Sequence, residues 1–335
     1  MTTGKTRGWG GVAAMALVCA LTLALALLLP HTQDNRTAAT TTGQGAGTTE
    51  ATLARVDDCE APEDRSLPPS TAEGEAVAAI KQRGYLSVGV DQNSYRWGYR
   101  NPNSTAKTVE LEGFDIDLAR RIAEELLGDP NRIRFKAIPT NQRVPAIKSG
   151  QVDMVVRTMT ITCARLKEVA FSAPYFLTGQ QVLAPNSSPV EGYDDTLAGK
   201  RICSAKGSTA YEKLAEDRET GDLPASADIS TTVPNQLDCL VRLQLGEVDA
   251  VVTDSALAAS QAAQDPSVEL KGKRFTTEYY GVAMKKEAPD LVRRVNRILA
   301  DYRTDGGWKA SYDKWLSPTL GRDSESATPP TPDYE

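Results

Sequence analysis

Two short apolar runs punctuate this chain in the same way. Val152-Asp153-Met154-Val155-Val156 ends abruptly in Arg157-Thr158, and Val248-Asp249-Ala250-Val251-Val252 ends in Thr253-Asp254. Each follows a glycine, Gly150 or Gly246, and before it a short stretch of helical character. Apolar runs of this length bounded by polar residues predict buried strands. In open α/β sheets, ligands sit just beyond the carboxyl ends of such strands. The repeat therefore predicts two similar α/β lobes whose strand ends face a common cleft.

The remaining pattern fills in both lobes. Ala76 to Arg83 reads as a helix closed by Gly84, and Leu86 to Val90 as a strand. The polar-aromatic loop from Asp91 to Trp97 follows. Leu118, Ala119, Ile122, Ala123 and Leu126 recur at helical spacing up to Gly128. Ile133 to Ala137 predicts a strand and Val144 to Ser149 a short helix. Gln180 to Ala184 reads as a strand leaving the first lobe, and Arg201 to Ser204 as the opening strand of the second. That strand feeds Lys206-Gly207-Ser208-Thr209-Ala210 at a helix start. Tyr279 to Met284 returns the chain to lobe one, where Leu291, Val292, Val295, Ile298, Leu299 and Tyr302 mark an amphipathic helix. Trp308, Tyr312 and Trp315 are spaced for a final short helix. Hinges are expected near Val182 to Pro185 and Thr276 to Gly281.

Toward the ends the pattern changes character. The uncharged run from Val12 to Leu29 would span about 27 Å as a helix, close to a bilayer core. Lys5 and Arg7 precede it, so the first residues stay cytoplasmic and the remainder is exported. The run reads as an uncleaved signal anchor, with cleavage as the alternative. Residues 30–75 read as a flexible tether, since their Thr, Ala and Gly bury too little to offset ordering. The partition is thus residues 1–11 cytoplasmic, 12–29 anchor or signal peptide, and 30–75 tether. Lobe one comprises 76–184 with 275–318, lobe two 185–274, and 319–335 a disordered acidic tail.

Composition removes several function classes. A net charge of −6 argues against nucleic acid as the main partner. The single histidine, His31, lies outside the expected folded part, which excludes imidazole bases and His-ligated metals there. No cofactor is expected. What does gather beyond the first repeated strand is Arg157, Thr158, Thr160 and Arg165. Hydroxyls, amides and a planar guanidinium fork suit a small carboxylate. The competing account is an ordinary Arg165–Glu168 surface pair with threonines capping a helix.

A wider pattern favours the ligand. Gly113-Phe114-Asp115-Ile116-Asp117-Leu118, the stretch Val152 to Phe176 with its Phe171-Ser172-Ala173-Pro174-Tyr175-Phe176, and Tyr312-Asp313-Lys314-Trp315-Leu316 stand in order along the chain. From Ala76 to Leu316 the chain resembles the extracytoplasmic polar amino-acid binding proteins of ABC transporters. The resemblance implies a two-lobed, type II periplasmic-binding-protein-like α/β fold with lobe one discontinuous. It implies a monomer that closes around a free amino acid and delivers it to a membrane permease. By motif position, Arg165 and Thr160 would hold the α-carboxylate, Ser208 and Thr209 would add donors, and Asp254 would accept from the α-ammonium. Asp254 alternatively caps the helix beginning at Ser255. Arg157 departs from the small residue many relatives carry, and a second cation in the cleft suggests a second carboxylate, hence glutamate or aspartate. Lys206 is another candidate for that role. Tyr95 and Trp97 are placed to cover the ligand's aliphatic part, with core packing as the alternative.

Cys59, Cys163, Cys203 and Cys239 lie on the exported side, an even number that implies two disulfides. Pairing Cys203 with Cys239 stays within lobe two, and Cys59 with Cys163 pins the tether to lobe one. Other pairings would cross-link the lobes against a hinge. No C-x-x-C spacing points to a metal. Two rival functions use the same fold: a membrane-tethered sensor signalling through a membrane partner, and an enzyme such as a cyclohexadienyl dehydratase.

Overall fold

The first strand, β1 (Leu86–Val90), is buried along its whole length, which is why its sequence is nearly all apolar. This computed structural model describes residues 59–104 and 110–335. The apolar run 12–29, Cys19, His31 and the tether as far as residue 58 lie outside the described residues. Among the described residues no helix is long and apolar enough to cross a membrane.

After β1 a small ribbon forms from β2 (Asn93–Ser94), β3 (Gly98–Arg100) and β4 (Leu111–Glu112). β5 (Ile133–Ala137), β6 (Met154–Val155) and β7 (Ala170–Phe171) complete the outward path through lobe one. β8 (Phe176–Thr178) then leads to lobe two, built from β9 (Gln180–Pro185), β10 (Arg201–Ala205), β11 (Asp228–Val233), β12 (Ala250–Asp254) and β13 (Val268–Lys271). β14 (Glu278–Tyr280) and β15 (Ala283–Met284) return the chain. The sheet orders are β5-β1-β6-β15-β7 and β11-β10-β12-β9-β13. In each, the repeated strand lies between a parallel neighbour, β1 or β10, and an antiparallel strand on its other side. The sequence echo is therefore a topological equivalence: β6 and β12 hold the same place in two sheets.

Three expectations about boundaries need correction. Gln180 to Ala184 belongs to lobe two, because β9 pairs with β12 and β13 and buries Val182 and Ala184 in that lobe's core. The crossover lies earlier, at Gly179, where an added Cβ would stand 1.9 Å from the carbonyl oxygen of Thr276. The two connections touch there, and only glycine permits it. The expected single strand from Tyr279 to Met284 is two strands in different sheets, β14 pairing with β8 and β15 with β6 and β7.

The third correction concerns the ends. Residues 319–335, expected to be disordered, pack on the protein: Ser326 and Ala327 are buried, and Glu335 pairs with Arg65 at 3.0 Å. The end of the expected tether is fixed too, since Ser66 donates to the Phe171 carbonyl at 2.9 Å and accepts from Asn296 at 2.8 Å. Small side chains and backbone hydrogen bonds order both segments, which apolar counting does not register.

Trp97 is also a correction. It is fully buried in the lobe-one core, edge-on to Phe114, Phe176 and Tyr280 at centroid separations of 5.6, 4.9 and 5.7 Å. Both disulfides form as paired above, Cys59–Cys163 and Cys203–Cys239. Trp97→Ala is expected to cost about 3–5 kcal/mol in chemical denaturation. A tryptophan that only covered a ligand would leave stability within about 1 kcal/mol. Replacing Cys203 and Cys239 together by serine should cost about 3–4 kcal/mol, because a loop of 36 residues is released.

Candidate functional site

Two buried arginines meet at one carbonyl oxygen. Arg165 sits on a one-turn helix, Cys163–Leu166, whose start is capped by the Thr162 hydroxyl accepting from the Arg165 amide. Its guanidinium donates to the Thr160 carbonyl at 2.7 Å and across the cleft to the Gly207 carbonyl at 3.2 Å. Arg143, at the start of the helix Arg143–Lys148, donates to the carbonyls of Thr140, Arg157 and Thr158 and to the same Gly207 oxygen at 3.2 Å. All the hydrogen-bond acceptors of both side chains are thus neutral carbonyls, and among the described residues neither forms a direct ion pair. Burial pulls both guanidinium pKa values down, well down for Arg143, which also feels Arg165 and Arg157. The surface-pair account of Arg165 does not hold, because Glu168 pairs with Lys148 at 3.0 Å.

Opposite these cations stand two buried carboxylates. Asp254, at the carboxyl end of β12, accepts from the Tyr280 hydroxyl and from Gln180 Nε2. It makes no side-chain cap to the helix it precedes, so the capping role is not realised. Burial first, and the neighbouring Glu278 second, raise its pKa to about 7. Glu278, at the start of β14, accepts from Thr160 at 2.6 Å, from Thr209 and Gln180 at 2.8 Å, and from Thr276 at 3.3 Å. A continuous polar chain thus runs from Arg165 through Thr160, Glu278 and Gln180 to Asp254. Cavities of about 630 and 620 Å³ flank it; Arg143, Arg165 and Gly207 line the first, and Thr160, Thr209 and Glu278 the second.

Other candidates fall elsewhere. Arg157 is fully buried, but its charge is met by Asp91 at 2.9 Å, and it donates to Thr140 and to Asn235 at 3.0 Å. It braces the lobes and is not an unneutralised cation. Thr158 lends backbone: its amide donates to Asp115 at 3.1 Å while its φ of +38° lies in the left-handed region that non-glycine residues rarely adopt. Ser208 uses its hydroxyl as a helix cap, donating to Ala205 and accepting from the Tyr211 amide. Lys206 is exposed, and Tyr95 lines a separate groove of about 540 Å³ with Tyr99 and Leu237. Sequence reasoning missed Arg143 and Glu278. Arg143 follows the carboxyl end of β5, the same kind of place that singled out Arg157, yet it fell one residue before the expected helix. Glu278 lay inside an expected hinge, where no carboxylate was sought. Among the described residues no cluster of His, Cys, Asp or Glu could hold a metal ion.

A family model described as bacterial extracellular solute-binding proteins, family 3, matches residues 86–318. The chain belongs to that family. It is similar to the ABC transporter glutamine-binding protein GlnH of Bacillus subtilis, 34% identical over 242 residues, spanning 72% of this chain and 85% of the relative. It is also similar to the glutamate-binding protein GluB of Corynebacterium efficiens, 27% identical over 270 residues, or 77% and 86% of the two chains. Among solved structures, the L-cysteine solute receptor of Neisseria gonorrhoeae matches with a TM-score of 0.68 and 27% identity, covering 76% of this chain and 99% of that one. In a family 3 solute-binding protein the two sheets described above are the two lobes of a type II periplasmic binding-protein fold.

The charge pattern gives a signed test. Asp254 in the folded protein holds a proton up to about pH 7, whereas unfolded it would lose it near 3.9. Its stabilising contribution is complete below the unfolded value and lost as pH rises through about 7. The melting temperature of Asp254→Asn relative to the parent should therefore be higher at pH 8 than at pH 4, measured by differential scanning fluorimetry.

Proposed function

We propose that this chain binds one free amino acid, glutamate or aspartate, with asparagine and glutamine as the alternatives, and presents it by hinge closure to an ABC permease. The observation that carries this reading is the pair of buried guanidinium groups, Arg143 and Arg165, facing Asp254 and Glu278 without ion pairs of their own among the described residues. Buried charges of this kind are costly unless a partner neutralises them. A dicarboxylic amino acid brings two carboxylates for the arginines and one ammonium for the acids. On this reading Arg165, with Thr160 and Thr209, takes the α-carboxylate, Arg143 the distal one, and Asp254 with Glu278 the ammonium. Arg143 thereby takes the part first expected of Arg157. The family's extracellular placement and the glutamine and glutamate named for its relatives support an amino-acid solute.

Binding then follows hinge logic: ligand contacts made from both lobes favour the closed arrangement over the open one. Isothermal titration calorimetry with glutamate, aspartate, glutamine and arginine tests the assignment. Glutamate or aspartate should bind most tightly, and tight arginine binding would sink it. Arg165→Ala should weaken every amino acid by roughly 30-fold or more, the consequence of about 2 kcal/mol lost at a buried charge pair. Arg143→Ala should weaken the dicarboxylates by a similar factor and glutamine far less. A sensor role rests on the uncharged run Val12 to Leu29 acting as a retained anchor. Uptake of labelled glutamate that is unchanged on deleting the gene would favour that sensor over transport.

A further inference from the structure

The last residues of the chain touch both hinge connections. Beyond Leu320 the chain turns at Gly321, whose carbonyl accepts from the Tyr312 hydroxyl at 2.7 Å. Ser326 then donates to the carbonyl of Leu177 at 2.7 Å, in the middle of β8, the outgoing connection. Its neighbour Glu325 pairs with Arg274, which lies between β13 and the returning β14. Ala327 is buried in the same apolar cluster that contains most of the lobe-one core and two lobe-two residues, Ala256 and Leu257. Farther on, Arg303 interacts with Tyr334 and donates to the Pro174 carbonyl at 2.6 Å, just before β8. The chain ends against lobe one, with the Glu335 amide donating to Ser66 at 3.0 Å and its side chain pairing with Arg65.

Opening a two-connection hinge requires backbone rotation in the short segments between β8 and β9 and ahead of β14. The Glu325–Ser326 dipeptide bridges these places, one residue bonded on the lobe-one side and the other paired on the lobe-two side. Both contacts survive together only while the two connections keep their present spacing. We propose that residues 321–335 form a strap across the hinge that holds the lobes closed, so that releasing the strap opens the cleft. The proposal rests on the hinge-closure reading but not on which amino acid is bound.

The lobes carry a built-in reporter remote from the strap: the Thr140 amide of lobe one donates to the Pro234 carbonyl of lobe two at 3.0 Å. Hydrogen–deuterium exchange of the peptide containing Thr140, in the full chain without added amino acid, therefore reads closure directly. The double variant Glu325→Ala/Ser326→Ala and the single variant Arg274→Ala should each speed that exchange by about three- to tenfold. Their L-glutamate affinity should weaken by a similar factor, because the competent closed form is less populated. Unchanged exchange at Thr140 in both variants would overturn the strap. Should L-glutamate bind neither parent nor variants, the ligand assignment fails while the exchange result still decides the strap. A chain ending at Gly321 that melts normally should match the double variant; if it does not fold, the point variants decide alone.

Discussion

The site turns on one shared acceptor, the carbonyl oxygen of Gly207, which receives a hydrogen bond from each of two buried arginines. Gly207 belongs to lobe two, and both arginines belong to lobe one. Neutral carbonyls satisfy N–H geometry without neutralising charge, so closure buries two like charges close together. Asp254 lies within electrostatic reach of both arginines and Glu278 within reach of Arg165, which offsets part of that cost. On the proposed function, closure and anion recognition are the same event.

The second constraint is topological. β6 and β12 occupy matching places, yet each delivers a different sign of charge to the cleft. The loop beyond β6 leads to Arg165, and β12 itself ends in Asp254. On the proposed function, a zwitterion held between the lobes would meet opposite charges from opposite sides, which two similar sheets supply once their strand ends have diverged.

Much of this was legible in the residues. The positions of β1 and β5, the repeated strands and both disulfides follow from period, punctuation and cysteine spacing, whereas bringing Arg165 and Asp254 into one charged centre comes from the family resemblance. The misses have physical causes. Trp97 sits in a polar-looking loop, but three aromatic partners distant in sequence bury it, and linear pattern does not reveal such packing. Arg157 and Arg143 are the same residue type at similar strand ends. Only three-dimensional proximity to Asp91 separates the neutralised cation from the one that, among the described residues, is left without a paired carboxylate. The terminal segments lack apolar periodicity because their order comes from backbone hydrogen bonds and single small side chains.

The Cys59–Cys163 bridge has a consequence for when the cleft can work. The turn that carries Arg165 is only four residues long, too short to hold its own shape against the cost of helix nucleation. A covalent tie at its first residue fixes that turn to the incoming chain and limits how far its backbone can wander. On the proposed function, recognition would thereby be coupled to thiol oxidation, a chemical step proper to the world outside the cytoplasm, so a nascent chain still in reducing surroundings would be poorly equipped to sequester the cell's own internal pool.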